Sequence, residues 1–87
     1  MDAPQKLQFP CDYPIKVMVR SQPGVREAVA LVIERHAGTG ASDRCSERAS
    51  AQANFAGLTY VIRATGAAQI EALFVELQAI PGVLLVI

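Results

Sequence analysis

The stretch that decides the fold is residues 13–20, YPIKVMVR, in which apolar and polar side chains alternate. One face of this stretch carries Ile15, Val17 and Val19, and the other carries Lys16, Met18 and Arg20. A period of two residues is typical of a β-strand that buries one of its faces. We therefore predict a strand over Tyr13–Arg20 with its aliphatic face in the core.

A helix is predicted directly after this strand. Pro23 and Gly24 interrupt the extended pattern, and Ser21 or Gln22 is placed to cap a helix that starts at the proline. Apolar residues then recur at helical spacing until Gly38, a residue favoured just beyond a helix C-terminus. The prediction is a helix over Pro23–Ala37.

The rest of the chain predicts two strands, a second helix and a last strand. Asp43–Ser50 is polar and charged, as edge strands often are, and a turn over Ala51–Gly57 follows it. Leu58–Thr65 is rich in β-branched and aromatic residues, which favours a strand. Thr65 can cap a helix whose apolar stripe is formed by Ile70, Leu73, Phe74 and Leu77, before Pro81 and Gly82 end it and Val83–Ile87 forms the last strand.

The element order β-α-β-β-α-β predicts an α+β fold, a ferredoxin-like two-layer sandwich. Right-handed crossovers place two helices on one face of a four-stranded antiparallel sheet. The Asp43–Ser50 strand is expected at one edge of the sheet and the last strand at the other. Residues 1–12 form an N-terminal lead-in, and residues 13–87 form one domain.

Composition restricts the functional classes. Eight basic and eight acidic residues cancel over 87 residues, so we expect no nucleic-acid and no membrane partner. No apolar leader or spanning stretch is present, which favours the cytoplasm and free thiols at Cys11 and Cys45. The two cysteines are far apart in sequence and His36 is the only histidine, so we predict no metal site and no cofactor.

The sequence predicts no catalytic residue and hence no enzyme. His36, late on the apolar stripe of the first helix, is expected to pack its ring and donate to the last helical carbonyls. The helical carboxylates fall between apolar positions and are expected to be solvated; they are Glu27, Glu34, Glu71 and Glu76.

Two candidate binding sites remain. The first is the start of the first helix, where a small-molecule effector could meet free N–H groups; its residues are Ser21, Gln22, Pro23, Gly24 and Val25. This segment resembles the Pro-Gly turn of ACT domains. The second is the sheet face away from the helices, with an apolar centre and basic rim suited to a protein partner or a second copy; its residues are Lys16, Met18, Arg20, Val61 and Arg63.

The chain resembles a family of small bacterial proteins. The run FPCDYPIKVM over residues 9–18 is similar to the start of the YbeD family, and the resemblance continues through Arg35–Ala37, Asn54–Phe55 and the pattern from Gln69 to Leu77. It implies an ACT-like ferredoxin fold, no established enzymatic activity and a lipoate-regulatory label, and it transfers no binding residue. Ala53 and Gly57 depart from the Gly and Ser that relatives tend to have before the third strand.

The expected function is therefore a non-enzymatic regulatory or adaptor domain that binds a protein partner or itself. The alternative is an ACT-like sensor of an amino acid or a lipoate-related molecule. An RNA-binding module is disfavoured, because the first strand lacks an aromatic residue between Ile15 and Arg20 and the net charge is zero.

Overall fold

The computed structural model describes residues 8–49 and 54–87 of the protein. Its elements are β1 (Cys11–Arg20), α1 (Val25–Ala37), a short 3₁₀ helix (Ala41–Asp43), β2 (Cys45–Ala49), β3 (Phe55–Ala64), α2 (Ala67–Gln78) and β4 (Val83–Val86). The four strands form one antiparallel sheet in the order β2-β3-β1-β4. The predicted fold and the edge positions of the two outer strands are confirmed. The strand predicted over Asp43–Ser50 begins only at Cys45, because Asp43 belongs to the 3₁₀ helix, and Ser50 lies outside the described residues.

The two central strands set the facing of the whole sheet. β1 and β3 pair over ten residues, from Cys11 opposite Ala64 to Arg20 opposite Phe55. Directly opposed residues in an antiparallel pair share a face, so the aliphatic residues of both strands meet on the helix side. The same alternation in the third strand predicts Leu58, Tyr60 and Ile62 as the inward set that matches Ile15, Val17 and Val19. Both sets are confirmed, and each of the six residues is at most 3% exposed.

Both helices contribute one apolar stripe to this core. On α1 the buried residues are Val25, Val29, Val32 and Ile33, and on α2 they are Leu73 and Leu77. Phe74 packs at the margin of the cluster and Ile70 is half-buried. Burying one such aliphatic side chain stabilises the fold by about 1.5–3 kcal/mol, so the stripes attach the helices to the sheet.

The predicted helix caps are wrong at both N-termini. α1 begins at Val25 behind Gly24, whose φ of 87° lies in the left-handed region, and neither Ser21 nor Gln22 caps it. α2 begins after Gly66, and Thr65 supplies no side-chain cap. Instead, Oε1 of Gln69 accepts a 2.7 Å hydrogen bond from the Thr65 backbone N–H, so the helix reaches back to the strand end.

The predicted turn over Ala51–Gly57 is wrong at its C-terminal end. β3 already begins at Phe55, three residues before the predicted Leu58. Small residues at 56 and 57 weaken the strand signal, yet both pair with β1, so tertiary pairing overrides local propensity. The earlier part of the predicted turn, residues 51–53, lies outside the described residues.

A bulge decides which side chains of β4 face away from the helices. Met18 is opposite Leu85 and Val19 is opposite Val83, so Leu84 is an extra residue. Val83 and Val86 both pack towards the core. Lys16 and Ile87 exchange backbone hydrogen bonds of 2.8 and 2.9 Å, which places Ile87 and Leu85 on the helix-free side. Strict alternation along this strand predicts that either Val83, Leu85 and Ile87 or Leu84 and Val86 face outward. Because of the bulge neither set is correct as a whole: Leu85 and Ile87 face outward as in the first, but Val83 packs inward.

Candidate functional site

In the part of the chain that the structure describes, both α-helices lie on one face of the sheet. The other face is called here the open face. An apolar row crosses its centre, because Met18 on β1 is opposite both Leu85 on β4 and Gly57 on β3. Leu85 is 51% exposed, and Ile87 beside it is 60% exposed. These exposed aliphatic side chains extend the row to the β4 edge of the sheet.

A shallow depression of about 470 Å³ lies over the β2 side of this row. Its lining includes Lys16, Met18, Arg48, Phe55, Gly57 and Thr59. Gly57 leaves space at its floor: a Cβ atom there would lie 4.0 Å from Cε of Met18 and 3.9 Å from the carbonyl oxygen of Arg48, which is ordinary contact. The volume is that of a site for a large side chain or a small ligand.

Val61 does not belong to the same apolar centre as Met18. It faces outward as predicted, but it is opposite Pro14, four residues along β3 from Gly57. Four residues of strand span roughly 13 Å, and the row of Lys16 and Thr59 lies between. The predicted centre therefore lies too far along the sheet. Leu85 and Ile87 belong to one of the two outward sets that alternation offers for the last strand, whereas the contribution of Gly57 was not predicted.

The open face is strongly basic although the chain is neutral. Of the residues that the structure describes, one carboxylate, Asp12, and five cations lie on it; the cations are Lys16, Arg20, Arg44, Arg48 and Arg63. The remaining described residues carry two cations against six carboxylates. Net charge alone therefore gave the wrong electrostatic picture, because alternation along the strands and helices sorts opposite charges onto opposite sides.

Three of these cations already have partners. Arg63 and Arg44 both approach Oδ1 of Asp12, at 3.5 and 3.7 Å. The Arg20 guanidinium lies 5.9 Å from the centre of the Phe55 ring, within the range of a cation–π contact.

The other two cations flank the depression. In the part of the chain that the structure describes, neither Lys16 nor Arg48 has an ion pair or a side-chain hydrogen bond. Arg48 and Arg44 come from the edge strand β2, and their facing becomes evident only from the register of β2 on β3.

The predicted effector segment, residues 21–25, lies at the entry to α1. Ser21, Gln22, Pro23 and Gly24 are exposed, whereas Val25 is buried in the core. The N–H of Val25 is directed at the carbonyl of Gln22, 3.4 Å away, so it is not presented to an anion. The turn at Gly82 packs directly against Gln22 and Val25. An effector site here stays a prediction.

The single histidine holds the two helices together. His36 and Arg35 on α1 both contact the carboxylate of Glu76 on α2, and Gln69 donates a 2.8 Å hydrogen bond to the His36 carbonyl. The predicted donation from His36 to helical carbonyls is therefore wrong, as is the expectation that Glu76 is merely solvated.

The other helical carboxylates differ in exposure. Glu34 is half-buried and accepts a 2.5 Å hydrogen bond from Ser42, whereas Glu27 and Glu71 are exposed as expected.

A second cleft, of about 310 Å³, lies between α1 and β2 on the helix side. Arg26, Cys45, Glu47 and Tyr60 line it, and burial together with the adjacent Cys45 thiol raises the pKa of Tyr60 above its ordinary range. Within residues 8–49 and 54–87, no three His, Cys, Asp or Glu side chains form a metal-binding group. None of the helices described is long and apolar enough to cross a membrane.

Comparison with known proteins finds a family match over residues 4–87, to the family described as "Protein of unknown function (DUF493)". A UPF0250 protein of Paraburkholderia phytofirmans is 34% identical over 92% of this chain and 90% of its own length. A UPF0250 protein of Vibrio cholerae is 38% identical over 93% of this chain and 86% of its own length. The solution structure of the C-terminal domain of MgtC from Mycobacterium tuberculosis superposes with a TM-score of 0.61 at 22% identity, covering 94% and 89% of the two chains. This last likeness concerns the fold alone.

Proposed function

This chain belongs to the DUF493 family, the YbeD family that its sequence resembles, and we propose that it is a non-catalytic binding domain that docks a protein partner on the open face. The observation that carries the proposal is the apolar row of Leu85, Met18 and Gly57, with Ile87 beside it, on a face that the helices leave uncovered. An apolar centre within a polar rim is the usual anatomy of a protein interface.

The chemistry of the described residues supports binding rather than catalysis. His36 is engaged by Glu76 between the helices, on the opposite side of the sheet from the depression. General acid–base work requires a titrating group within hydrogen-bond reach of the reacting atoms. The lining of the depression includes cationic, aliphatic and aromatic residues such as Lys16, Met18 and Phe55. Glu47, the carboxylate residue among the described lining, is paired with Arg26. These residue types favour non-covalent recognition.

In-cell photo-crosslinking tests this proposal. A benzophenone amino acid would replace Leu85 on the open face in protein expressed in its own host, and irradiated adducts would be resolved by mass. Leu31 and Val75, which are 65% and 68% exposed on the helix side, are the matched control positions. We expect an adduct with a defined protein from position 85 and none from the two controls.

A second variant separates docking from adventitious proximity. Met18→Glu adds a charge to the centre of the apolar row and should abolish the adduct from position 85, while thermal melts show a folded domain. Adducts that form only from the helix side, or that survive Met18→Glu unchanged, would show that the open face is not the docking surface.

A further inference from the structure

The charges on the open face identify the chemistry of its partner. This step rests on the proposed docking function: we infer that the partner presents an acidic segment that carries an apolar side chain, seated in the depression beside Lys16 and Arg48. Five cations share the face with one carboxylate, whereas the rest of the described chain has an excess of carboxylates. Complementary potentials guide association and select partners, so a basic face fits an acidic one.

The two cations at the depression have unused binding capacity. Asp12 partly neutralises Arg44 and Arg63, and Arg20 lies over the Phe55 ring. Lys16 and Arg48 have no such partner among the described residues, and both line the depression. A carboxylate next to an apolar anchor would pair with one or both of them while the anchor fills the space over Gly57.

A second copy of this chain fits the open face less well. Two open faces brought together would oppose five cations with five cations, and like charges across an interface suppress pairing. An open face against the acidic helix side of another copy is a head-to-tail contact, which generates open filaments unless the rotation closes. The charge pattern therefore favours a different, acidic chain.

Single-stranded nucleic acid also fits less well, although it too is acidic. Sheets that bind single strands stack bases on aromatic side chains of their central strands. Here Tyr13 and Tyr60 face the helices, and Phe55, at one end of β3, is the aromatic residue that these two strands offer to the open face. The central positions are Lys16, Met18, Gly57 and Thr59. We therefore assign the acidic ligand to a protein.

The test is an affinity selection of random short peptides displayed on phage against the immobilised full chain. We expect the enriched peptides to have net negative charge and at least one large apolar residue. A pool without acidic bias, including one indistinguishable from the starting library, would overturn the inference. Single-stranded oligouridine, titrated in parallel, should bind more weakly than the best peptide; tighter binding would overturn the assignment to a protein.

Matched variants then locate the peptide. Lys16→Gln with Arg48→Gln should weaken binding about tenfold, whereas Arg44→Gln with Arg63→Gln, the same charge change on the same face, should weaken it by less than about threefold. A Cβ atom at position 57 meets only ordinary contacts, so Gly57→Val should fold, place its methyl groups in the depression and abolish binding, with Gly66→Ala as the control glycine change. If the two double variants weaken binding equally, the peptide does not bind in the depression.

Different results would contradict the docking function and the acidic character of the partner. Loss of acidic selectivity while position 85 still crosslinks to a protein in cells would leave the docking function standing and remove only the acidic partner. Absence of crosslinks from the open face would remove the docking function itself. Sedimentation of the chain alone should show a monomer, and a concentration-dependent dimer broken by Met18→Glu would replace the acidic partner with a second copy.

Discussion

Arg26 on α1 donates two hydrogen bonds to the carboxylate of Glu47 on β2, 2.9 Å long from Nε and 2.5 Å long from Nη2. Every residue of β2 is exposed, so this contact supplements the backbone pairing of β2 with β3 at the edge of the sheet. The same contact holds the pKa of Glu47 below its ordinary value. The charged side chain at the sheet edge thereby acquires a structural role.

The first prediction concerns local opening of that edge. Glu47→Gln removes the charge from the contact, and we expect backbone amides of β2 to exchange faster with deuterium while the core amides of β1 keep their rates. Exposed ion pairs contribute little to global stability, so the thermal midpoint should hardly move. Glu71→Gln, which changes an exposed carboxylate on α2, is the control. Unchanged exchange in β2 would show that backbone pairing alone holds the edge.

The second prediction concerns acid stability. The contact with His36 and the charge of Arg35 hold the pKa of Glu76 below its ordinary value of 4.5. A carboxyl whose folded-state pKa is depressed stabilises the fold above its unfolded pKa, and this contribution is lost as the pH falls through the folded value. Glu76→Gln should therefore lower stability near neutral pH and flatten the acid limb of the stability curve.

The exposed Glu71 supplies the control for this experiment, because it lies on the same helix. The free energy of unfolding in urea would be compared for wild type, Glu76→Gln and Glu71→Gln, from neutral pH down to the pH range in which carboxyl groups become protonated. An acid limb that is the same in Glu76→Gln as in wild type would show that the contact between α1 and α2 contributes nothing to stability.

The third prediction concerns Gly82 in the turn before β4. Its φ of 97° lies in the left-handed region, and an added Cβ atom would come within 2.7 Å of Cγ2 of Val25. Gly82→Ala should therefore destabilise the fold by about 1–3 kcal/mol, through both backbone strain and a clash with the buried start of α1. Gly66→Ala meets nothing within 4 Å and should cost much less. Similar denaturant midpoints for the two variants would contradict this account.

The sequence predicted those features that a repeating pattern encodes. Alternation in Tyr13–Arg20 gave the facing of β1, and the spacing of Leu73 and Leu77 gave the buried stripe of α2. The apolar row could not be predicted, because it depends on the register of three strands and on a bulge beside Leu84. The helix caps were missed because glycine occupies both cap positions and carries no side-chain signal.

The total charge could be predicted from the sequence, but the placement of the charges on the two sides of the sheet could not. Total charge is a property of composition, whereas segregation of charge depends on which face each residue occupies. Arg48 lies on the open face only because β2 pairs with β3 so that it is opposite Gly57. The absence of a nucleic-acid partner, expected from net charge, therefore stays a prediction that the oligouridine titration tests.

The fourth prediction concerns the core. Leu73 and Leu77 are fully buried beneath α2, so truncating either to Ala should cost about 2–5 kcal/mol. Glu71→Ala on the exposed side of the same helix should change stability by less than about 0.5 kcal/mol. Chemical denaturation distinguishes these outcomes, and equal stability of the Leu and Glu variants would show that the helix presents its other face to the sheet.

The fifth prediction concerns the two thiols. Cys11 is opposite Ala64 and Cys45 is opposite Tyr60, with β3 between them. Two strand spacings combined with a four-residue offset separate the Cα atoms by roughly 16 Å, more than the 10 Å expected from strand order alone and far beyond the 7 Å limit for a disulfide. Both cysteines are accordingly free.

Monomeric protein kept under oxidising conditions should therefore still contain two thiols by titration. The exposed Cys45 should react with a bulky maleimide faster than the half-buried Cys11. Cys45→Ser should remove the fast phase and leave the slow one. A monomer with no titratable thiol under non-reducing conditions would contradict the strand order β2-β3-β1, because only a different order could bring the two sulfur atoms together.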